Sequence, residues 1–266
     1  MLIGVFDSGI GGLTVLRSLR RAWPGHSTIY LGDTARVPYG SKSPQTVTRY
    51  ALQVANYLMG QGVDLIVVAC NTASATALPE LEKTLPIPVV GVIGPGARAA
   101  VDASTGGKIG VIGTAATIAS GAYEHAIKLL RPDASIASIA CPLFVPLADE
   151  GWEGTRVARE VAERYLDPWL PGKPNRPDTV VLGCTHYPVL RPAIGDVLGR
   201  DIQLIDSAET TARAIAPIME DEPDEAAPTH RVVVTDGAAG FAATAARLLG
   251  PAMPPLEVVD LTPLGS

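Results

Sequence analysis

The side chains with the most chemistry stand together in Gly183-Cys184-Thr185-His186-Tyr187-Pro188, directly after the apolar run Val180-Val181-Leu182. A short apolar run rich in β-branched residues and closed by turn residues reads as a buried strand of a parallel sheet. In open α/β sheets the chemistry lies just past the carboxyl ends of the strands. Cys184, Thr185 and His186 fall at that place. An earlier stretch repeats the arrangement: an acid, Asp64, then an apolar run, then Cys70-Asn71-Thr72. Asp64 to Cys70 and Asp178 to Cys184 are the same step along the chain. A second echo pairs Ile3-Gly-Val-Phe-Asp7-Ser8 with Ile109-Gly-Val-Ile-Gly113-Thr114. The chain therefore reads as two related halves, each offering one cysteine at a strand end.

A thiol with a pKa of about 8.5 is moved toward neutrality by a neighbouring charge or helix end. It then exchanges a proton readily near neutral pH, as a general acid–base group must. One thiolate and one thiol on opposite faces of a tetrahedral carbon can remove a proton on one side and return it on the other, which inverts the centre. Asp7 and His186 are placed to assist these transfers. Ser8, Asn71, Thr72, Thr114, Thr117 and Thr185 supply neutral hydrogen bonds for a carboxylate and an ammonium group. Other chemistries remain open on these residues. Cys184 and His186 could form a nucleophile–base dyad of a cysteine hydrolase, although Cys70 then has no task. Zinc ligation lacks the usual Cys-x-x-Cys or His-x-x-x-His spacing, and a redox disulfide lacks its Cys-x-x-Cys. A non-catalytic amino-acid-binding protein would use the same polar shell without needing two thiols. Cys141 precedes a proline and reads as a small buried hydrophobe.

The elements that must position these groups are those of an α/β protein. With 266 residues, 47% of them hydrophobic, the chain can fill two modest cores. Strands are expected at 2–6, 27–31, 65–69, 89–92, 108–112, 136–140, 180–182 and 203–205. Helices are expected at 13–21, 44–60, 73–83, from 97, at 152–166 and after Pro192. Ser43 and Pro44 have the types of an N-cap and a first helical residue. Strands at 231–235 and 256–259, around a helix at 238–249, are expected to return to the first sheet. The fold class is then two pseudo-symmetric, doubly wound α/β domains with largely parallel sheets and the active site between them. The expected domains are residues 1–97 with 208–266, and residues 98–207. The turn Gly9-Ile10-Gly11-Gly12 is neither G-x-G-x-x-G nor a P-loop and reads as a tight turn at a helix start.

A net charge of −6 and no basic run longer than Arg20-Arg21 argue against nucleic acid as a partner. The acidic cluster at 220–225 reads as a solvated loop. Three cysteines are too few for a disulfide scaffold. The N-terminus lacks signal-peptide features, and no apolar run approaches the roughly 18 residues of a membrane span. A cytoplasmic protein is expected.

The combination of Phe6-Asp7-Ser8-Gly9-Ile10-Gly11-Gly12, Asp33, Pro38-Tyr39-Gly40, Cys70-Asn71-Thr72-Ala73, Gly113-Thr114 and Gly183-Cys184-Thr185-His186-Tyr187-Pro188 resembles the bacterial glutamate racemases. The resemblance spans about residues 3 to 215 and leaves the last fifty residues with little to add. It implies glutamate held between two α/β domains, no cofactor and no metal. It further implies direct proton transfer at the α-carbon, D-glutamate for peptidoglycan and hence cell-wall biogenesis and cell shape, and a homodimer. By the same resemblance Cys70 takes the α-proton of D-glutamate and Cys184 that of L-glutamate, with Asp7 and His186 in support. Asp7-Ser8, Tyr39-Gly40, Asn71-Thr72 and Thr185-His186 match the family's substrate-binding pairs, and Thr114 and Thr117 match further contacts. Where the family carries a glutamate after Phe-Val-Pro-Leu, this chain has Asp149 followed by Glu150, and the supporting role goes to Asp149. Aspartate racemase, similar in fold and in its paired cysteines, is the nearest alternative; that family tends to carry an acid where His186 stands. A pyridoxal-phosphate enzyme would need a Schiff-base lysine, and Lys42, in a loop, reads as a solvated charge.

Overall fold

The computed structural model describes residues 1–219, 227–250 and 253–261. The acidic segment 220–225 lies outside the described residues. The first half runs β1 (Leu2–Asp7), α1 (Leu13–Ala22), β2 (Ser27–Gly32), α2 (Pro44–Gly60), β3 (Leu65–Val68), α3 (Asn71–Thr76), α4 (Leu78–Thr84) and β4 (Val89–Gly91). It continues through α5 (Ile93–Ala103), β5 (Lys108–Gly113), α6 (Ala115–Ala119), α7 (Ala122–Leu130), β6 (Ser135–Ala140), α8 (Phe144–Asp149) and α9 (Arg156–Leu166). Then follow β7 (Thr179–Gly183), α10 (Arg191–Leu198), β8 (Gln203–Asp206), α11 (Ser207–Ala214), β9 (His230–Val234), α12 (Ala238–Leu249) and β10 (Leu256–Val258).

The strands form two sheets, ordered β10-β9-β2-β1-β3-β4 and β6-β5-β7-β8. Every pairing in both is parallel. The segment β2-β1-β3-β4 has the same order as β6-β5-β7-β8, so β1 corresponds to β5 and β3 to β7. The chain steps outward from β1 to β2 and returns to β3 on the other side, and it does the same at β5, β6 and β7. Each such reversal opens a crevice at the carboxyl ends of two adjacent strands, which is where ligands bind in this architecture. Ser8 and Cys70 flank the first crevice, and Thr114 and Cys184 flank the second. The late strands β9 and β10 extend the first sheet beyond β2.

The strands are apolar runs because both faces are covered. On the first sheet, Ile3, Val5, Leu65 and Val67 pack under Leu13 and Leu16 of α1 and Ala208 and Ala212 of α11. Phe6, Ile66 and Val68 face the other way, toward Val47, Ala51 and Val54 of α2. The second sheet is sandwiched likewise, by α8, α9 and α10 on one face and α5 and α7 on the other. The acids of the repeated motif lie at the far end of the strands from the cysteines. Asp64 accepts from the Leu2 amide at 2.7 Å, and Asp178 accepts from the Gly106 amide at 2.7 Å and the Ser104 hydroxyl at 2.6 Å. They hold the start of the neighbouring chain segment in place.

Three helix boundaries differ from those expected. The helix at 73–83 is two helices, α3 and α4, because Pro79 in the first turn of α4 cannot continue a preceding helix. Helix α5 begins at Ile93 rather than at Ala97, since Pro95 is tolerated in a first turn. It crosses residue 97 and packs Ile93, Ala97 and Ala100 on the second sheet. Helix α9 begins at Arg156 rather than Trp152, set by Thr155, whose side chain accepts from the Ala158 amide. At α2, Ser43 caps through the Thr46 amide and Pro44 opens the helix.

Trp169 anchors the second sheet. It is 2% exposed, and a Cβ at Gly110 of β5 would stand 2.9 Å from its ring, so the glycine makes the room the indole fills. Trp169→Ala is expected to lower stability by about 3–5 kcal/mol, read from the midpoint of denaturant unfolding. An unchanged midpoint would mean that the ring does not carry this packing.

Candidate active site

A cavity of about 630 Å³ lies at the carboxyl ends of β1, β3, β5 and β7, with walls from both halves. Cys70 and Cys184 both open on it, 4% and 6% exposed, and both are free thiols. Cys70 is the N-cap of α3. Its sulfur accepts from the Ala73 amide at 3.4 Å and lies 3.5 Å from the Ser8 hydroxyl. Cys184 follows β7, and its sulfur is 3.6 Å from Nδ1 of His186. Nε2 of His186 meets Asp149 at 3.1 Å. Asp149 ends α8, and it is this acid that touches the imidazole.

Asp7, at the end of β1, is fully buried behind the cavity wall. Its carboxylate accepts from the Gly9 amide at 3.0 Å and from the Thr185 hydroxyl of the other half at 3.4 Å. The glycine turn exists for close approach. A Cβ at Gly12 would fall 2.4 Å from Cβ of Asp7, and one at Gly11 would fall 2.4 Å from the Thr185 hydroxyl and 2.8 Å from His186 Nδ1. The two halves touch at Gly11, while Gly12 lets its own helix start close over Asp7.

Burial dominates the charges. It raises the Asp7 carboxyl above its ordinary value, against the opposing pull of His186 and of its hydrogen bonds to Gly12, Gly9 and Thr185. Burial, together with the Asp7 charge, pushes the Cys70 thiol up to about 12, despite the hydrogen bonds from Ser8 and Ala73. Cys70 is therefore protonated at neutral pH. Burial alone pulls His186 down, but its hydrogen bonds to Asp149 and Cys184 outweigh it and carry the imidazole well above its ordinary value. His186 is cationic at neutral pH and stands beside the Cys184 sulfur.

The neutral donors gather on the wall that joins the halves. The hydroxyls of Thr72, Thr114 and Thr117 form a triangle with sides of 3.0, 3.2 and 3.0 Å. Thr72 and Thr114 line the cavity, while Thr117 is buried behind them. Asn71 lines the cavity with its Nδ2 buried and unpartnered among the described residues. Ser8, Gly40 and Thr185 line it as well. Tyr39 does so too, but its hydroxyl is committed to Asp33, which also accepts from Arg36 and Thr235. With its ring against Phe6 and Tyr50, Tyr39 is packed in place in its loop. Among the described residues, neither Lys42 nor any other Lys or Arg lines the cavity. No group of three or more His, Cys, Asp or Glu suited to a metal occurs among the described residues.

The last fifty residues add more than expected. Gly237, Gly240, Phe241 and Thr244, from the start of α12, form part of the cavity wall. The signal was there: a strand, then Thr235-Asp236-Gly237, then a helix is the same strand–turn–helix phrase that positions Ser8 and Cys70. The N-terminal end of α12 faces the site because β9 lies beside β2 in the first sheet.

The fold and site define a doubly wound α/β protein with one thiol at the equivalent strand end of each half. Residues 3–215 match the Asp/Glu/Hydantoin racemase family, and the chain belongs to it. It is 52% identical to a glutamate racemase of Geobacter metallireducens over 252 residues, covering 93% of this chain and 92% of that one. Among solved structures it is similar to a glutamate racemase isoform from Bacillus anthracis, with a TM-score of 0.92, 40% identity and coverage of 98% and 97% of the two chains. It is likewise similar to glutamate racemase from Francisella tularensis in complex with D-glutamate, with a TM-score of 0.89, 36% identity and 97% coverage of both chains.

The His186–Asp149 pair has a definite pH signature. A group whose folded pKa is raised contributes stability in full below its unfolded value of about 6.5, and loses it as pH rises through the folded value. Asp149→Asn is expected to move the His186 imidazole titration, followed by NMR, to lower pH and to flatten that decline in stability. The same titration in both proteins would show that Asp149 does not hold the imidazole's charge. Asp7 has the same sign, since its folded pKa is also raised: its ionised form costs stability at neutral pH. Asp7→Asn, whose carbonyl can accept from the Gly9 amide while its NH₂ group donates to the Thr185 hydroxyl, is expected to raise the unfolding midpoint at pH 7, with a gain that shrinks at acid pH. A midpoint lowered at pH 7 would contradict this.

Proposed function

We propose that the chain interconverts L- and D-glutamate by two-base proton transfer, Cys184 and Cys70 serving the two faces of the α-carbon. The observation that carries this reading is the pair of buried free thiols at equivalent strand ends, opening on one cavity. Starting from L-glutamate, the Cys184 thiolate, beside the His186 cation, takes the α-proton and becomes a thiol. The electron pair left on the α-carbon spreads into the α-carboxylate. The Cys70 thiol delivers its proton to the opposite face, leaving D-glutamate and a Cys70 thiolate. The reverse reaction runs from that state, and exchange with solvent resets the two sulfurs. The protonated state of Cys70 fits the donor role on the L-to-D path.

Asp7, His186 and Asp149 support these transfers: Asp149 holds the imidazolium, and Asp7 stands between the two charged centres. Ser8, Gly40, Asn71, Thr72, Thr114 and Thr185 bind the substrate, with Tyr39 and Thr117 holding the wall behind them. Donors aimed where charge develops lower the barrier most. The reaction needs no cofactor. The two halves act as two domains with crossings near residues 97 and 207, glutamate between them. The product serves peptidoglycan synthesis in the cytoplasm, and the chain works as a homodimer. No helix among the described residues is long and apolar enough to cross a membrane. A cysteine hydrolase would use the Cys184–His186 contact and leave Cys70 idle, and an amino-acid-binding protein would leave both idle.

The test is incubation with L-glutamate in D₂O without added pyridoxal phosphate, followed by circular dichroism and α-proton NMR, with L-aspartate in parallel. Loss of optical rotation with α-deuteration is expected, and Cys70→Ser and Cys184→Ser are each expected to lose about a hundredfold or more in rate. Turnover of aspartate alone would move the substrate to the shorter acid. No exchange with either amino acid would remove the racemase reading.

A further inference from the structure

Asn71 is 2% exposed and its amide opens on the cavity. An amide of this kind can present either its oxygen or its NH₂ group, and only the NH₂ group suits a carboxylate. Oδ1 of Asn71 accepts the phenolic proton of Tyr123 at 2.7 Å. Nδ2 is buried without a partner among the described residues, an arrangement that is costly unless a ligand supplies the acceptor. The side that remains for a ligand is thus the donor side.

Tyr123 comes from α7, on the second sheet, and reaches across to α3 of the first half. It is 3% exposed. Two glycines make room for its ring: a Cβ at Gly183 would stand 3.0 Å from it and one at Gly96 would stand 3.2 Å from it. Burial raises the Tyr123 pKa well above the ordinary phenol value, so the proton stays on the oxygen.

We propose that Tyr123 is a positioning residue for substrate binding: its hydroxyl fixes the Asn71 amide with the NH₂ group turned toward a substrate carboxylate. Because the two residues belong to different halves, the donor is set only while the halves are together. The inference rests on the glutamate racemase reading above and deepens it. Tyr123 touches no reacting atom and acts through Asn71, so its removal weakens binding more than turnover.

Tyr123→Phe keeps the ring and removes the hydroxyl. KM for both enantiomers is expected to rise about tenfold, the worth of one hydrogen bond to a charged group, with kcat within about twofold of the unmodified chain. The decisive comparison is a double-mutant cycle. In an Asn71→Ala background, Tyr123→Phe is expected to cost nothing further. Where Asn71→Ala leaves no measurable turnover, the same cycle is read on D-glutamate affinity by calorimetry. An equal loss in both backgrounds, or an unchanged KM in Tyr123→Phe alone, would overturn the inference while leaving the racemase reading intact. If the unmodified chain neither turned over nor bound glutamate, the racemase reading would fail first and the inference with it.

Discussion

A carboxylate with no exposure to water stands at the end of β1, and the two halves of the molecule close around it. Asp7 draws one hydrogen bond from the Gly9 turn of its own half and one from Thr185 of the other. A buried charge without such partners is too costly to keep, so the meeting of the halves and the ionisation of Asp7 depend on each other. The glycines at 11 and 12 follow from the same constraint, because a side chain at Gly11 would push Thr185 and His186 of the other half away and one at Gly12 would strike Asp7 itself. The Asp7 charge then reaches both sides of the cavity. It helps to hold the Cys70 proton on its sulfur, and it is opposed by the cation at His186. One buried group thereby ties fold closure to the protonation of the site.

The duplicated topology places two thiols symmetrically, and their surroundings then differ. Cys70 has a hydroxyl, a helix-capping amide and a nearby carboxylate. Cys184 has an imidazole braced by a carboxylate. A strictly symmetric pair would start from the same protonation state on both faces and have no preferred donor. The two-base transfer proposed above needs a proton donor on one face and an acceptor on the other, and unequal surroundings distinguish the two sulfurs.

Much of this was legible in the sequence because its causes are local. A strand buried on both faces is an apolar run, so β1, β3, β5 and β7 could be read directly, and with them the positions of Ser8, Cys70, Thr114 and Cys184. Ser43 and Pro44 announced α2 by cap chemistry. Other features have causes that are not local. Tyr123 looks like any tyrosine of an amphipathic helix until Gly96 and Gly183, far apart in the chain, are seen to frame it. The start of α12 reaches the cavity only because β9 joins the first sheet beside β2. Proline misled in both directions: Pro95 opened a helix where a break was expected, and Pro79 broke one where continuity was expected. The ring permits a first turn and forbids an interior, and sequence alone did not say which position each proline held.

The absence of Lys and Arg from the described cavity wall bears on how a substrate with two carboxylates is handled. A fixed cation would already bind a carboxylate strongly in the ground state, and binding shared by the ground state and the transition state does not speed the chemical step. Loss of the α-proton moves negative charge onto the α-carboxylate oxygens, and hydrogen bonds to those oxygens strengthen as that happens. Neutral hydroxyl and amide donors, held in place by one another and by groups behind the wall, therefore favour the transition state selectively. The threonine triangle and the Asn71 amide are ordered before any ligand arrives, so little reorganisation remains for the moment of proton transfer. The cation that the wall does contain, His186, stands against the Cys184 sulfur rather than among these donors.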